Sequence, residues 1–246
     1  MEERLKYMIS TGDNIKAENA NWRFDGETAK SFDNHVSKSV PFYKEGQTLI
    51  CNISDYFVKN DSIIYEIGCS TGELTTKLAE HNTLKSGAVF VGLDSVSEMI
   101  NIADEKKELK NLSNISFVEA DALLYDFEPS DMIISYYTVQ FIRPSDRQKL
   151  IDKIYSSLKW GGAFLLFEKV RAPDARFQDM MTGLYNEYKL DQGYKADEIV
   201  AKSRSLKGVL EPFSTQANID MLHRAGFSDV MSVMKYVSFE GFLAIK

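Results

Sequence analysis

Cysteine and histidine are scarce in this chain. Its 246 residues hold two cysteines, Cys51 and Cys69, and three histidines, His35, His81 and His223. Two cysteines build neither a disulfide framework nor a four-cysteine zinc site, and three scattered histidines argue against a His-based metal centre, so no metal is expected. Long apolar runs are missing too. No stretch reaches the roughly 20 residues that a membrane helix needs, and the opening MEERLKYMISTGDN is charged, so neither a span nor a signal peptide is expected. A basic surplus is also absent: 29 Lys and Arg face 36 Asp and Glu, a formal net charge of -7. A broad nucleic-acid surface needs clustered cations, so direct nucleic-acid binding is not expected. On these absences a reducing, cytoplasmic protein is expected.

What remains is a globular chain, 44% hydrophobic and 26% charged. That fraction excludes wholesale disorder, and the length buries a full core. Residues 1–60 mix charges and aromatics and read as an N-terminal helical cap. From Asp61 the text becomes regular. SIIYEIG, AVFVGLD, ISFVEAD, DMIISYY and AFLLFEK read as buried strands, with ELTTKLAEH, SEMINIADEKKELK and PSDRQKLIDKIYSSLK as helices between them. The pair Gly161-Gly162 is expected to stop the last of these helices. Alternation of this kind predicts βαβ units and an α/β fold with a mostly parallel sheet, its core at 61–170. Segment 171–215 is too long for a plain connection and reads as a helical lid insertion. Residues 216–246 read as a helix and a β-hairpin completing the sheet.

Chemistry concentrates where the first strand meets its helix, in Glu66-Ile67-Gly68-Cys69-Ser70-Thr71-Gly72. Gly68 permits a sharp turn, and Gly72 lets the helix start lie close to the sheet. Ser70 and Thr71 break the dinucleotide pattern G-x-G-x-x-G, which weakens a pyrophosphate reading. A nucleoside without phosphates needs fewer glycines. Asp94 closes the second strand, 22 residues beyond Gly72, the usual place for a ribose acceptor. Asp121 closes the third, placed to meet an adenine amino group. The plainer alternative is that both aspartates cap the helices that follow.

The order E-x-G-x-x-x-G, acidic strand end, five strands and terminal hairpin resembles the class I S-adenosylmethionine (SAM) methyltransferases. The chain is more closely similar to the carboxy-S-adenosylmethionine synthase family, through WRFDGETAKSFDNHVSKSVPFY (22–43), YEIGCSTGELT (65–75), the run 138–169 and NIDMLHRAGFSDV (218–230). The resemblance implies a Rossmann-like sheet of seven strands, a homodimer, and SAM or carboxy-S-adenosylmethionine as the ligand. By the same resemblance, cofactor contacts fall on Tyr43, Gly68, Cys69, Ser70, Gly72, Asp94, Ser95, Asp121 and Ala122. Two positions depart from the carboxylated-cofactor enzymes: Tyr136 stands where they have asparagine, and Ser203 where they have the arginine that pairs the extra carboxylate. Arg204 follows one place later, about 100° round a helix.

Tyr136 and Tyr137 are candidates for flanking a sulfonium or orienting a hydroxyl, against burial as strand-end core. Glu168 and His35 are candidate bases. Lys202, Ser203 and Arg204 are candidate substrate contacts in a lid whose seven basic and seven acidic residues balance. The first functional reading is a SAM-dependent methyltransferase acting on a small anionic metabolite or natural-product intermediate. Alternatives are a carboxy-SAM synthase using SAM and prephenate in support of tRNA wobble-uridine modification, an enzyme cyclising or cleaving SAM itself, and a non-catalytic SAM-binding module.

Overall fold

The computed structural model describes residues 9–246. A two-residue hairpin, β1 (Ile9–Ser10) and β2 (Lys16–Ala17), precedes helices α1 (Glu27–Ser39) and α2 (Tyr43–Ser54). The alternating part follows: β3 (Ile63–Ile67), α3 (Glu73–His81), β4 (Val89–Asp94), α4 (Ser97–Leu109), β5 (Ile115–Glu119), β6 (Ser130–Tyr136), α5 (Pro144–Ser157) and β7 (Leu158–Lys169). Then come α6 (Ala175–Asp191), α7 (Ala196–Ser205), α8 (Thr215–Ala225), β8 (Asp229–Tyr236) and β9 (Phe239–Ile245). Seven strands form one sheet in the order β5-β4-β3-β6-β7-β9-β8, with β9 antiparallel to both of its neighbours.

Strand side chains alternate between two apolar layers. Ile64, Phe90, Ile134, Leu165 and Phe167 pack with Ile50 of α2, Leu74 and Leu78 of α3 and Ala103 of α4. Tyr65, Ile67, Ile133, Phe164 and Leu166 pack with Leu150, Ile151 and Ile154 of α5 and with Met221 and Leu222 of α8. The sheet is thus covered on both faces, which explains why its strands read as continuous apolar runs. Direction of chain travel reverses between β3 and β6, and that switch point opens a crevice at the strands' carboxyl ends.

One local expectation is corrected. Helix α5 ends at Ser157, not at the glycine pair, and β7 runs through Gly161 and Gly162. Its register on β6 jumps from Ser130–Leu158 to Met132–Ala163, a bulge that holds the glycines. Gly161 N donates to the Lys246 carbonyl at 2.7 Å, and Lys246 N returns a bond to Gly162 O at 3.0 Å. Pairing with the chain's last residue, invisible to local pattern, decides the conformation.

Candidate functional site

A cavity of about 850 Å³ opens over the carboxyl ends of β3 to β7, walled by α1, α6, α7 and the segment after α7. Its strand-edge half is set by the loop after β3. Gly68 sits at φ 71°, and a Cβ there would lie within 2.7 Å of three Thr138 side-chain atoms. Only glycine keeps the loop this close to the turn after β6. Gly72, at φ 73°, caps α3, and a Cβ would meet Phe117 Cζ at 2.5 Å. Its role is close packing; it does not line the cavity. Neither does Cys69, which is 4% exposed within the core, its thiol pushed well up by burial.

Gly68, Ser70, Asp94, Ser95, Asp121 and Ala122 all line the cavity. Asp94 Oδ2 accepts from Ser70 N at 2.9 Å and Oδ1 from Val96 N at 3.0 Å. An ionised carboxylate has about four acceptor positions, so each oxygen keeps one for a ligand. Burial pushes this carboxyl up, and the backbone N–H groups oppose the shift. Asp121 is exposed and caps its turn, accepting from Leu123 N at 2.9 Å. It lines the cavity, and the element that it caps is a turn, since no helix follows β5 directly.

Aromatic side chains form the middle wall. Tyr43, Tyr136 and Tyr137 lie with ring centroids 4.8 to 6.3 Å apart, and Tyr136 OH donates to Tyr43 O at 2.5 Å. Tyr137 takes φ 63°, its N–H bound to Phe167 O at 2.8 Å, and its buried hydroxyl has no partner among the described residues. The ring lines the cavity from a left-handed backbone position that non-glycine residues seldom take. Burial raises all three phenols well above the ordinary tyrosine value, so they are neutral donors.

Glu168 lies elsewhere. Strand alternation puts Phe167 and Lys169 on one face of β7 and Glu168 on the other, facing Arg147 of α5 rather than the cavity. Burial lifts its carboxyl to about 8. The expectation that Glu168 is a base in the pocket is corrected accordingly: the cavity residue at this strand end is Lys169. Of the α7 candidates, Lys202 and Ser203 line the cavity and Arg204 does not. The carbonyl of Arg204 instead accepts from Ala20 N at 3.0 Å, joining α7 to the N-terminal segment.

Sequence reasoning missed the lysine end of the site. Lys169 Nζ lies 4.2 Å and Lys189 Nζ 4.7 Å from the centroid of the Tyr185 ring. Among the described residues neither lysine has a carboxylate within ion-pair distance. Burial, then Lys189, Arg171 and Lys207, pull Lys169 down to about 7, and burial takes Lys189 to about 8. A signal for Lys169 did exist, since the period of two from Leu165 and Phe167 puts it on their face, the one that packs against α2. No signal marked Lys189.

The α1 wall is tied to the loop. Thr71 Oγ1 donates to Asp33 Oδ1 at 2.5 Å, and Lys106 Nζ donates to Asp33 Oδ2 at 2.6 Å and Thr71 Oγ1 at 3.0 Å. Among the described residues, no helix is long and apolar enough to cross a membrane.

Known proteins agree with this geometry. A family model described as a methyltransferase domain matches residues 64–162. The chain is 37% identical over 226 residues to a carboxy-S-adenosyl-L-methionine synthase of Staphylococcus epidermidis, covering 92% of this chain and 97% of that protein. It is 38% identical over 225 residues to the synthase of Nautilia profundicola, covering 92% and 94%. Among solved structures it resembles a putative SAM-dependent methyltransferase of Methanococcus maripaludis (TM-score 0.61, 21% identity, 92% and 95% covered). It also resembles human N-acetylserotonin methyltransferase, solved with SAM (TM-score 0.59, 18% identity, 89% and 55% covered), a likeness of fold. With an α/β sheet of the class I methyltransferase order and full-length relatives at this identity, the chain is a SAM-dependent transferase and belongs to the carboxy-S-adenosyl-L-methionine synthase family.

Proposed function

We propose that this SAM-dependent transferase passes a methyl group to a small anionic acceptor seated against Lys169 and Lys189. The observation that carries the reading is that two largely buried lysines share the Tyr185 ring and have no carboxylate partner among the described residues. An unpaired buried charge is costly, and two adjacent ones repel. An anion between them relieves both penalties.

SAM fits the other half of the cavity: Asp94 offers one free acceptor position per oxygen for a ribose diol, and Asp121 and Ala122 lie beyond it. Tyr43, Tyr136 and Tyr137 would face the sulfonium. Bound there, SAM supplies an electrophilic methyl carbon whose leaving group is a neutral thioether. The chain's own contribution is alignment and exclusion of water. Arg171 and Lys207, exposed cations on the cavity wall, draw the anion inward. Lys202 and Ser203 complete the acceptor side, with 171–215 as a lid and 1–60 as a cap over a core of 61–170 and 216–246. The enzyme acts as a homodimer in the cytoplasm on this reading, without membrane or nucleic-acid contact.

A second reading, carboxy-S-adenosyl-L-methionine synthase, is favoured by the printed names of the full-length relatives. A dicarboxylate such as prephenate suits the same two lysines. Ser203 counts against it, because a serine cannot replace a carboxylate-pairing guanidinium fork. Mass spectrometry of the ligand carried through purification separates the two. SAM or S-adenosylhomocysteine supports the methyl-transfer reading, whereas carboxy-S-adenosylmethionine overturns it in favour of the second. Absence of any adenosyl ligand, with no binding of added SAM, overturns both.

A further inference from the structure

The third buried lysine of the cavity, Lys202, is built differently from the other two. It lies against Trp22, its Nζ 3.7 Å from the ring centroid, and meets Nε2 of His35. His35 stacks on the same indole at 5.5 Å. Its Nδ1 is 2.9 Å from Asp13 Oδ2, which also accepts from Tyr194 OH at 2.5 Å. Asn34 and Lys38 each donate to Asp13 Oδ1 at 2.9 Å. These bonds hold Asp13 down at about 2, so it is an ionised acceptor. The imidazole proton therefore sits on Nδ1, and Nε2 turns a lone pair toward Lys202.

The result is a sealed line of polar groups. The side chains of Asp13 and His35 are 7% and 5% exposed, and the line ends at Lys38 near solvent and at Lys202 in the cavity. Charged groups reach Lys202 from each element packed on it. Lys189 of α6 and Lys169 of β7, with burial, disfavour an ammonium; Asp13 after β1 favours one, as does the indole face. Glu198, one turn earlier on α7, is held away by Ser10 and the Lys195 N–H. With one N–H on Nε2 and another over the indole, a neutral amine keeps its lone pair for the cavity.

We propose that Lys202 is the proton acceptor of this cavity, taking the proton an acceptor's hydroxyl or equivalent acidic group releases on alkylation, with His35 and Asp13 as positioning residues. The inference rests on the methyl-transfer reading above. A bond forms between the acceptor's heteroatom and the methyl carbon, and the carbon–sulfur bond breaks with its electron pair kept by sulfur. The acceptor's proton passes to the Lys202 lone pair. The new ammonium donates to His35 Nε2, and the Asp13 carboxylate balances its charge.

The test combines a titration with a transfer assay on the whole protein. In ¹³C NMR of lysine labelled at Cε, with Lys202 assigned by Lys202→Arg, the midpoint is expected well below the ordinary value of about 10.4. Asp13→Asn should lower that midpoint further and Lys189→Met should raise it. In transfer of label from SAM to the small-molecule fraction of a cell extract, Lys202→Arg replaces the neutral amine with a permanent cation that cannot accept the proton. It should lose at least about a hundredfold in rate while keeping SAM affinity by calorimetry. An ordinary lysine midpoint, or near wild-type transfer by Lys202→Arg, overturns the proposal. Failure of the wild type to bind SAM overturns the functional reading instead, and the midpoints still report the state of Lys202.

Discussion

Asp94 offers the sharpest test of the cofactor side. Ser70 N and Val96 N occupy one acceptor position on each of its oxygens, which leaves two positions for the two hydroxyls of a ribose. A hydrogen bond to an ionised acceptor contributes about 1.5–3 kcal/mol, so losing two removes roughly 3–6 kcal/mol of binding. At about 1.4 kcal/mol per tenfold, Asp94→Ala should weaken SAM by about two to four orders of magnitude. Asp94→Asn keeps one oxygen and should fall between. Isothermal titration with S-adenosylhomocysteine measures this, with circular dichroism confirming that each variant is folded. Stranding the two backbone N–H groups lowers stability as well, so the ligand-free melting temperature must be recorded beside each affinity. A folded Asp94→Ala protein that binds within threefold of wild type would refute the assignment. Because burial raises the Asp94 carboxyl, protonation on the acid side should also weaken binding. Affinity should therefore fall as pH is lowered through its midpoint.

Three further outcomes follow from the packing and the charges. Lys169 and Lys189 titrate at about 7 and 8, below the ordinary lysine value of about 10.4, so the unfolded chain binds more protons than the native one between those limits. Their contribution to ligand-free stability should therefore rise with pH from about 7 to 10, and Lys169→Met should flatten that slope in denaturant titrations while abolishing transfer. Gly72→Ala forces φ 73° on a side chain and drives its Cβ to 2.5 Å from Phe117 Cζ, so unfolding by urea should show a loss of about 2–5 kcal/mol from strain and overpacking. Finally, burial pushes the Cys51 thiol to about 11 and the Cys69 thiol well above its ordinary value. Both should resist Ellman's reagent at pH 8 until denaturant is added; rapid native labelling of Cys69 would contradict its place in the core.

The strand-edge half of the site was legible because it is local. A strand that ends in Gly68, a helix that starts after Gly72 and acidic residues at the ends of the next strands are short-range patterns. The sheet then fixes where such positions meet. The acceptor half was not legible in the same way. Lys169, Lys189 and Lys202 come from β7, α6 and α7, and no spacing in the chain relates them. Glu168 and Lys169 end the same strand. Only the identity of the face toward α2 separates them, and alternation from Phe167 carries that information once the core side is known.

By itself, then, the sequence determined the α/β alternation, the glycine loop, the acidic strand ends and the terminal hairpin, since each follows from backbone preference and hydrophobic period over a few residues. Tertiary structure alone decided that β7 runs through Gly161 and Gly162, because the partner that captures them is Lys246. It also decided that Asp13, His35 and Lys202 form one hydrogen-bonded line across 189 residues of chain. The physical reason is the same in both cases. Buried polar groups are satisfied by whichever partner the packed layers bring near, and that partner is set by topology rather than by neighbourhood in sequence.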